Sequence, residues 1–294
     1  MIESIVLENL SIGTSLPINI SNREYVLDSA DFGTIQSSRN TYKYINQVGV
    51  YVTGTTLESR TINIIGWVVA DSQADMTRRK NFLNRFVNPL QQLRLHYEEY
   101  QIDGLPTKTI SYGTDISTNN EVLCKFMISL FCPDPLFHTE NGTNVLIADW
   151  LPKFHFPLII PKDKGIIMGL RSPASIATPL NNDGSMPCGF VVTFEASGTV
   201  KNPYILNILT QEKIRLVETM EAGETLRVST VPNNKTVKKI SDGVETNAFN
   251  LLDLSSTFFS LPVGETYIRY GAEEGVVNLS VEVYYDTGYL EVQK

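Results

Sequence analysis

The residues through which this chain could do chemistry are few and scattered. Its three histidines are His96, His138 and His155. None has a histidine or cysteine partner at the short spacing of a metal site. His96 alternates with Leu93 and Leu95, which makes it an ordinary strand residue. The three cysteines are Cys124, Cys132 and Cys188. The first two bound "CKFMISLFC", which reads as one strand and separates them by roughly 26 Å. That exceeds disulfide reach, so buried free thiols are expected. Adjacent carboxylates occur at Glu98–Glu99 and Glu273–Glu274. The first pair is expected in a strand, where neighbours point to opposite faces. The second is expected at a solvated hairpin tip, "AEEG", and Glu218, Glu221 and Glu224 surround another, "MEAGE". There is no G-x-S-x-G elbow, no glycine-rich phosphate loop and no H-E-x-x-H. A glycosidase needs no local motif, but no acid–base pair is recognisable. The expectation is a protein without catalytic residues, metal ligands or cofactor contacts.

Composition narrows the classes further. A chain of 294 residues points to two domains. Its net charge of −8 argues against a nucleic-acid binder. The nearest thing to a basic patch, "RRK" at 78–80, is flanked by Asp71 and Asp75 and reads as a solvated helix face. No signal peptide is visible. The longest apolar runs, such as "IIGWVVA" at 64–70, have core-strand length, so no membrane insertion is expected. Synthesis in a cytoplasm follows as the expectation.

The elements that must carry the chain are mostly strands. Segments 2–12, 17–27, 42–53 and 59–70 have strand texture. In "RTINIIGWVV" Ile62, Ile64 and Val68 share one face. "DSQADMTRRKNFLNRFVNP" is the one helix signal. Asp71 and Ser72 are N-cap candidates, Met76, Phe82, Leu83, Phe86 and Val87 form a stripe, and Pro89 ends it. Strands resume in "QLRLHYEEYQI" and "VLCKFMISLF". From Pro133 to Pro187 prolines make central strands improbable. An extended connector is expected there, packing Trp150, Phe154 and Phe156 on its neighbours. Beyond residue 188 alternation is nearly continuous. "VVNLSVEVYY" places Val277, Leu279, Val281, Val283 and Tyr285 on one face. Turn glycines recur at Gly198, Gly223, Gly243, Gly264 and Gly275, a spacing that predicts a β-sandwich.

The order of short motifs in this second half is more specific. It runs "NNDGSMPCGFVVTFEASGTVKNPYILN", "TMEAGETLRVST", "LLDLSSTFFSLPVGETYIRY". This order resembles the C-terminal domain of the distal tail proteins of siphophages of Gram-positive hosts. The matching residues are Asn182, Gly184, Pro187, Asn202, Pro203, Gly223, Glu224, Leu252, Asp253, Ser256, Phe258, Phe259, Leu261 and Gly264. "SRTINIIGWVVADSQADMTRRKNFLNRFVNPLQQLRL" is similar to that family's strand–helix–strand unit, and "CPDPLF" to its domain junction. One departure is "LTQEK", where the family often has threonine-glycine.

The resemblance implies a mainly β protein. Residues 1–133 would be a ring-forming, tail-tube-like β-sandwich or split barrel with one α-helix. Residues 134–187 would be the proline-rich connector, and 188–294 a galectin-like β-sandwich. It implies a homo-hexameric ring at the virion tail tip. That ring would join the tail tube protein to the tail-tip protein and, in many phages, to receptor-binding proteins. The genome would pass through the lumen unbound. A hairpin arm near 40–58 would reach the next subunit as a belt, with Tyr42, Tyr44, Val50 and Tyr51 buried against it. The competing reading is a carbohydrate-binding protein for host cell-wall glycans. It needs an aromatic platform with polar groups, and Trp67 and Trp150 both fall outside the expected sandwich.

Overall fold

The computed structural model of the protein describes residues 2–46, 48–147, 150–152, 169–171 and 177–292. Two units divide the chain. Unit 1 is Met1–Glu140 with Tyr289–Lys294, and unit 2 is Asn141–Gly288.

Alternating burial builds unit 1. Its strands are β1 Ser4–Asn9, β2 Thr14–Asn19, β3 Tyr25–Asp31, β4 Ser37–Tyr42, β5 Tyr51–Leu57 and β6 Arg60–Val69. After helix α1 Gln73–Phe86 come β7 Leu93–Tyr97, β8 Tyr100–Pro106, β9 Ser111–Tyr112, β10 Leu123–Cys132 and β11 Phe137–Thr139. Neighbours run β8, β7, β1, β2, β3, β6, β10, and β10 pairs back onto β8. Seven strands therefore close a barrel, which removes the free edges of an open sheet. The inward residues include Ile5, Leu7, Ile62, Ile64, Leu93, Leu95, Ile128 and Leu130, all in one core cluster.

Ser72 is the N-cap of α1, and its hydroxyl accepts the Asp75 N–H at 3.3 Å. Met76, Leu83 and Phe86 are its buried face. A helix end leaves carbonyls without partners. Here buried Asn9 of β1 donates to the Phe86 carbonyl at 2.8 Å and joins helix to barrel.

Unit 2 follows with β12 Thr143–Leu146, β13 Trp150–Pro152, β14 Gly169–Arg171, β15 Thr178–Asn182, β16 Phe190–Ala196, β17 Val200–Lys201, β18 Tyr204–Asn207 and β19 Lys213–Arg215. The remainder are β20 Thr219–Met220, β21 Thr225–Ser229, β22 Thr236–Ser241, β23 Val244–Asn247, β24 Gly264–Gly271 and β25 Leu279–Tyr285, while β26 Gly288–Tyr289 belongs to the unit 1 sheet beside β11. A six-stranded sheet runs β12, β25, β16, β21, β22, β23, and a four-stranded sheet runs β15, β24, β18, β19. Val192, Phe194, Val228 and Val283 of the first share one core with Leu180, Ile205, Ile214 and Ile268 of the second. This is a β-sandwich with one buried face per sheet. The chain is mainly β, with a single α-helix among the described residues.

Several sequence expectations change. Segment 17–27 is two strands, β2 and β3, broken at residues 20–24. Segment 42–53 is not one strand: the chain reverses between β4 and β5, with positive φ at Asn46 and Gly49. Glu98 and Glu99 sit in the β7–β8 turn, where Glu98 has φ 55°, so they are not opposite-facing strand neighbours. Val277 lies in a short 3-10 turn and is 69% exposed, whereas Leu279, Val281, Val283 and Tyr285 are buried. In the turn that lacks the expected glycine, Gln211 adopts φ 61°. The division into units also differs from 1–133, 134–187 and 188–294. β11 joins the unit 1 sheet, while β12 and β15 are edge strands of unit 2. Proline is tolerated at edges, which is why a proline-rich stretch still contains Pro179 inside β15. The expected packing of Trp150, Phe154 and Phe156 falls outside the described side chains.

Two expected outcomes test this architecture. Ile147 and Leu180 are buried in the sandwich core yet precede residue 188. A fragment of 141–288 is expected to unfold cooperatively in urea. A fragment starting at 188 should be less stable by about 3–6 kcal/mol, since each such side chain contributes about 1.5–3 kcal/mol. The second concerns Arg60, which is 1% exposed and donates to the Leu290 carbonyl. Deleting residues 289–294 strands that charge, and unit 1 should lose about 2–3 kcal/mol in the same titration.

Candidate functional site

Between β3 and β6 the chain leaves the barrel. Strands β4 and β5 pair only with each other, from Ser37↔Leu57 to Tyr42↔Tyr51. Every described residue of the two strands is exposed except Gly54, which is intermediate. The arm nevertheless carries large apolar side chains. Tyr42, Tyr44, Val50 and Tyr51 are each about half exposed. Val52 is similar, and Ile45 and Val48 are almost fully exposed. The three tyrosines form one cluster: Tyr42 and Tyr44 lie 4.5 Å apart between centroids, and Tyr44 and Tyr51 lie 6.2 Å apart, both edge to face. The four residues expected in the belt are thus brought together at the outer half of the arm. Ile45, Val48 and Val52 belong with them. Their apolar type inside the same segment was the available signal.

The root of the arm is packed into the barrel. Phe32 packs against Tyr97 at 5.0 Å and Phe137 at 5.3 Å. Gly33 follows with φ 67°, and a Cβ there would come within 2.2 Å of the Thr61 carbonyl oxygen. Only glycine meets both conditions. On the returning side Arg60 is buried, its guanidinium 4.9 Å from the centre of the Phe137 ring. Burial lowers its pKa, the desolvation of the cation being the main cause.

The residues considered for chemistry have structural partners. His96 lies in β7 between two carboxylates, Glu8 at 3.1 Å and Glu140 at 2.8 Å. Among the described residues no group of three or more His, Cys, Asp or Glu side chains could hold a metal ion. Cys124 and Cys132 are buried free thiols at the two ends of β10, and Cys188 is also free and buried. Burial pushes Cys132 up to about 12 and Cys188 up to about 11, far from thiolate reactivity. Glu273 and Glu274 are not simply solvated. Glu274 binds Lys201 at 3.0 Å, and Glu273 accepts from Asn202 and from Arg215 at 3.3 Å. Glu218 and Glu224 both hold Lys239, at 2.7 and 2.9 Å. In "RRK", Arg78 and Arg79 each bind Asp75 at 2.7 Å, and Lys80 donates to Asn119 at 2.8 Å.

The motif residues of unit 2 are explained by the fold. Buried Asn182 donates to the carbonyls of Met186 and Leu261 and accepts the Gly184 N–H. Asp253 and Ser256 both hold Arg215, one at its guanidinium and the other at its backbone. Asn202 takes φ 51° before Pro203. Phe259 packs on Phe190 at 5.0 Å in the core. These residues close turns and staple sheets.

Family models match both halves of the chain. Residues 11–132 match the phage tail protein RIFT-related domain, and residues 183–289 match the siphovirus-type tail component, C-terminal domain. No curated protein matches significantly. Among solved structures, the SPP1 Dit protein, described as a paradigm of hub adsorption apparatus in phages infecting Gram-positive hosts, superposes with a TM-score of 0.67. Identity is 12%, over 97% of this chain and 99% of that one. A chain of the phage P2 baseplate in its activated conformation with calcium gives a TM-score of 0.52 at 13% identity, over 99% and 100%. The strontium form gives 0.50 at 13% identity with the same coverage. At these identities the structural likeness is one of fold. The two family matches follow each other in the order in which the two units occur, and the chain belongs to the siphophage distal tail protein family.

Proposed function

We propose that this tail component forms a cyclic homo-hexamer at the virion tail tip, where it joins the tail tube protein to the tail-tip protein. The β4–β5 arm is the belt between neighbouring copies. The observation that carries this reading is an arm whose described strand residues are nearly all exposed although they include Tyr42, Tyr51 and Val52, with Val50 exposed beside them. An isolated two-stranded hairpin is marginal in water. Contiguous exposed apolar surface of this kind marks an interaction site in a soluble protein. Tyrosines are also enriched among residues that dominate interface energies. A heterologous contact of this type closes into a ring when the rotation allows. The fold likeness to a hub protein and to baseplate chains agrees with that placement.

In this reading unit 2 is the outward, galectin-like docking arm for tail-tip or receptor-binding proteins. Its edges offer unpaired backbone groups to a partner strand, so docking there needs no special side chain. The family and fold are those of structural tail proteins, and no catalytic step is assigned. The lumen passes the genome without holding it. Six chains of −8 give a strongly anionic ring, about −48 in all.

Negative-stain electron microscopy of the full chain is expected to show six-fold rings with a central hole. Deleting residues 42–57 should abolish the rings and leave the unfolding transition of unit 2 unchanged. Rings that persist after the deletion refute the belt. The full chain should also show no measurable duplex DNA binding at physiological salt in a mobility-shift assay, because counterion release needs clustered cations. Tight, salt-sensitive binding would contradict the proposed lumen.

A further inference from the structure

We propose that the arm of one copy seats in an acidic groove at the arm-root end of the next copy's barrel. The inference rests on the ring reading above and adds the receiving surface to it. The groove has a volume of about 350 Å³ and is walled by Glu3, Ile5, Val6, Tyr97, Glu98 and Glu140. His96 also lines it, held between Glu8 and Glu140. Glu98 lines the groove from the β7–β8 turn, where Glu98 and its neighbour Glu99 are both exposed.

Charge selects the occupant. The arm from Ser37 to Leu57 contains Arg39 and Lys43 and no Asp or Glu, although the whole chain carries −8. A cationic, tyrosine-bearing hairpin matches a groove lined by Glu3, Glu98 and Glu140 beside apolar Val6. Tyrosine hydroxyls can donate to carboxylates while their rings cover apolar surface. Opposite potentials of this kind set the register and exclude wrong partners.

Position agrees with charge. Phe32 at the arm root touches Tyr97, which lines the groove, so root and groove lie at one end of the barrel. The strands of the arm are exposed on their own copy, and no described arm residue lines the groove of that copy. In a cyclic ring every copy points the same way along the axis, so the neighbour presents its groove at the level from which the arm departs. The six residues of β4 extend about 20 Å from the root. That exceeds the radius of gyration of a domain of unit 1's size, roughly 14 Å.

The test is a charge swap in the full chain, read by sedimentation velocity over a concentration series. The variants are Glu98→Lys with Glu99→Lys, Arg39→Glu with Lys43→Glu, and all four together. All four positions are exposed, so folding should be unaffected, which circular dichroism checks. Each double reversal is expected to raise the concentration for half-assembly by about tenfold or more, because it sets like charges against each other. The four-fold variant should return toward the wild-type value. Unchanged assembly in both double reversals, combined with loss on deleting 37–57, overturns the groove and leaves the belt standing. Assembly that survives the deletion overturns both. Failure of the four-fold variant to recover also overturns the direct pairing.

Discussion

The guanidinium of Arg60 is buried at the joint where the arm re-enters the barrel, and much of unit 1 converges on it. Its own residue opens β6 and pairs with Cys132 at the end of β10, the strand whose pairing with β8 closes the barrel. Its face rests against Phe137 of β11. Its hydrogen bond goes to Leu290, in the C-terminal segment that returns to unit 1. A buried charge is costly unless its partners are held in place. One cation therefore ties together the arm root, the closing strand, the strand beyond it and the chain terminus. Ring packing, one charge-assisted hydrogen bond and strand pairing thus meet at a single residue.

Rigidity at the root gives the bare arm its meaning. Phe32 and Gly33 fix the departing strand, and Arg60 fixes the returning one. The hairpin between them carries its own ladder and an edge-to-face tyrosine cluster. Association that buries those side chains starts from an arm already aimed, so less ordering entropy is lost on binding. Unit 2 has a different logic. Its polar motif residues are consumed internally, as Asn182 and the Arg215 cluster show, and its outer strands β12 and β23 remain as edges.

Much of this architecture was legible in residue order. Period-two alternation marks β6, β10, β16 and β25, because one face of each meets a core and the other does not. The helix follows from Ser72, an apolar stripe and Pro89. Less legible was where a strand stops. Alternation continues through Val277 although the backbone there turns, and through 42–53 although the chain reverses, because hydrophobic pattern carries no record of φ. The aromatic residues of the arm could be named, but their exposure could not. A tyrosine in an alternating stretch has the same letter whether its neighbour is a core or water. Arg60 did carry a signal: it lies two residues before Ile62, on the parity that faces inward.

By itself, then, the sequence determined the fold class, the two-part organisation, the single helix and the scarcity of groups fit for catalysis. All of these depend on local residue type and spacing, which short-range sterics and amphipathic periodicity convert directly into structure. Only the tertiary structure decided that β10 closes onto β8, that the C-terminal residues return to unit 1, and that the arm stands clear of its own barrel. It also decided that Glu8, His96 and Glu140, distant in sequence, meet in one hydrogen-bonded group. Such contacts are set by how separate strands meet, and no local spacing encodes the meeting point.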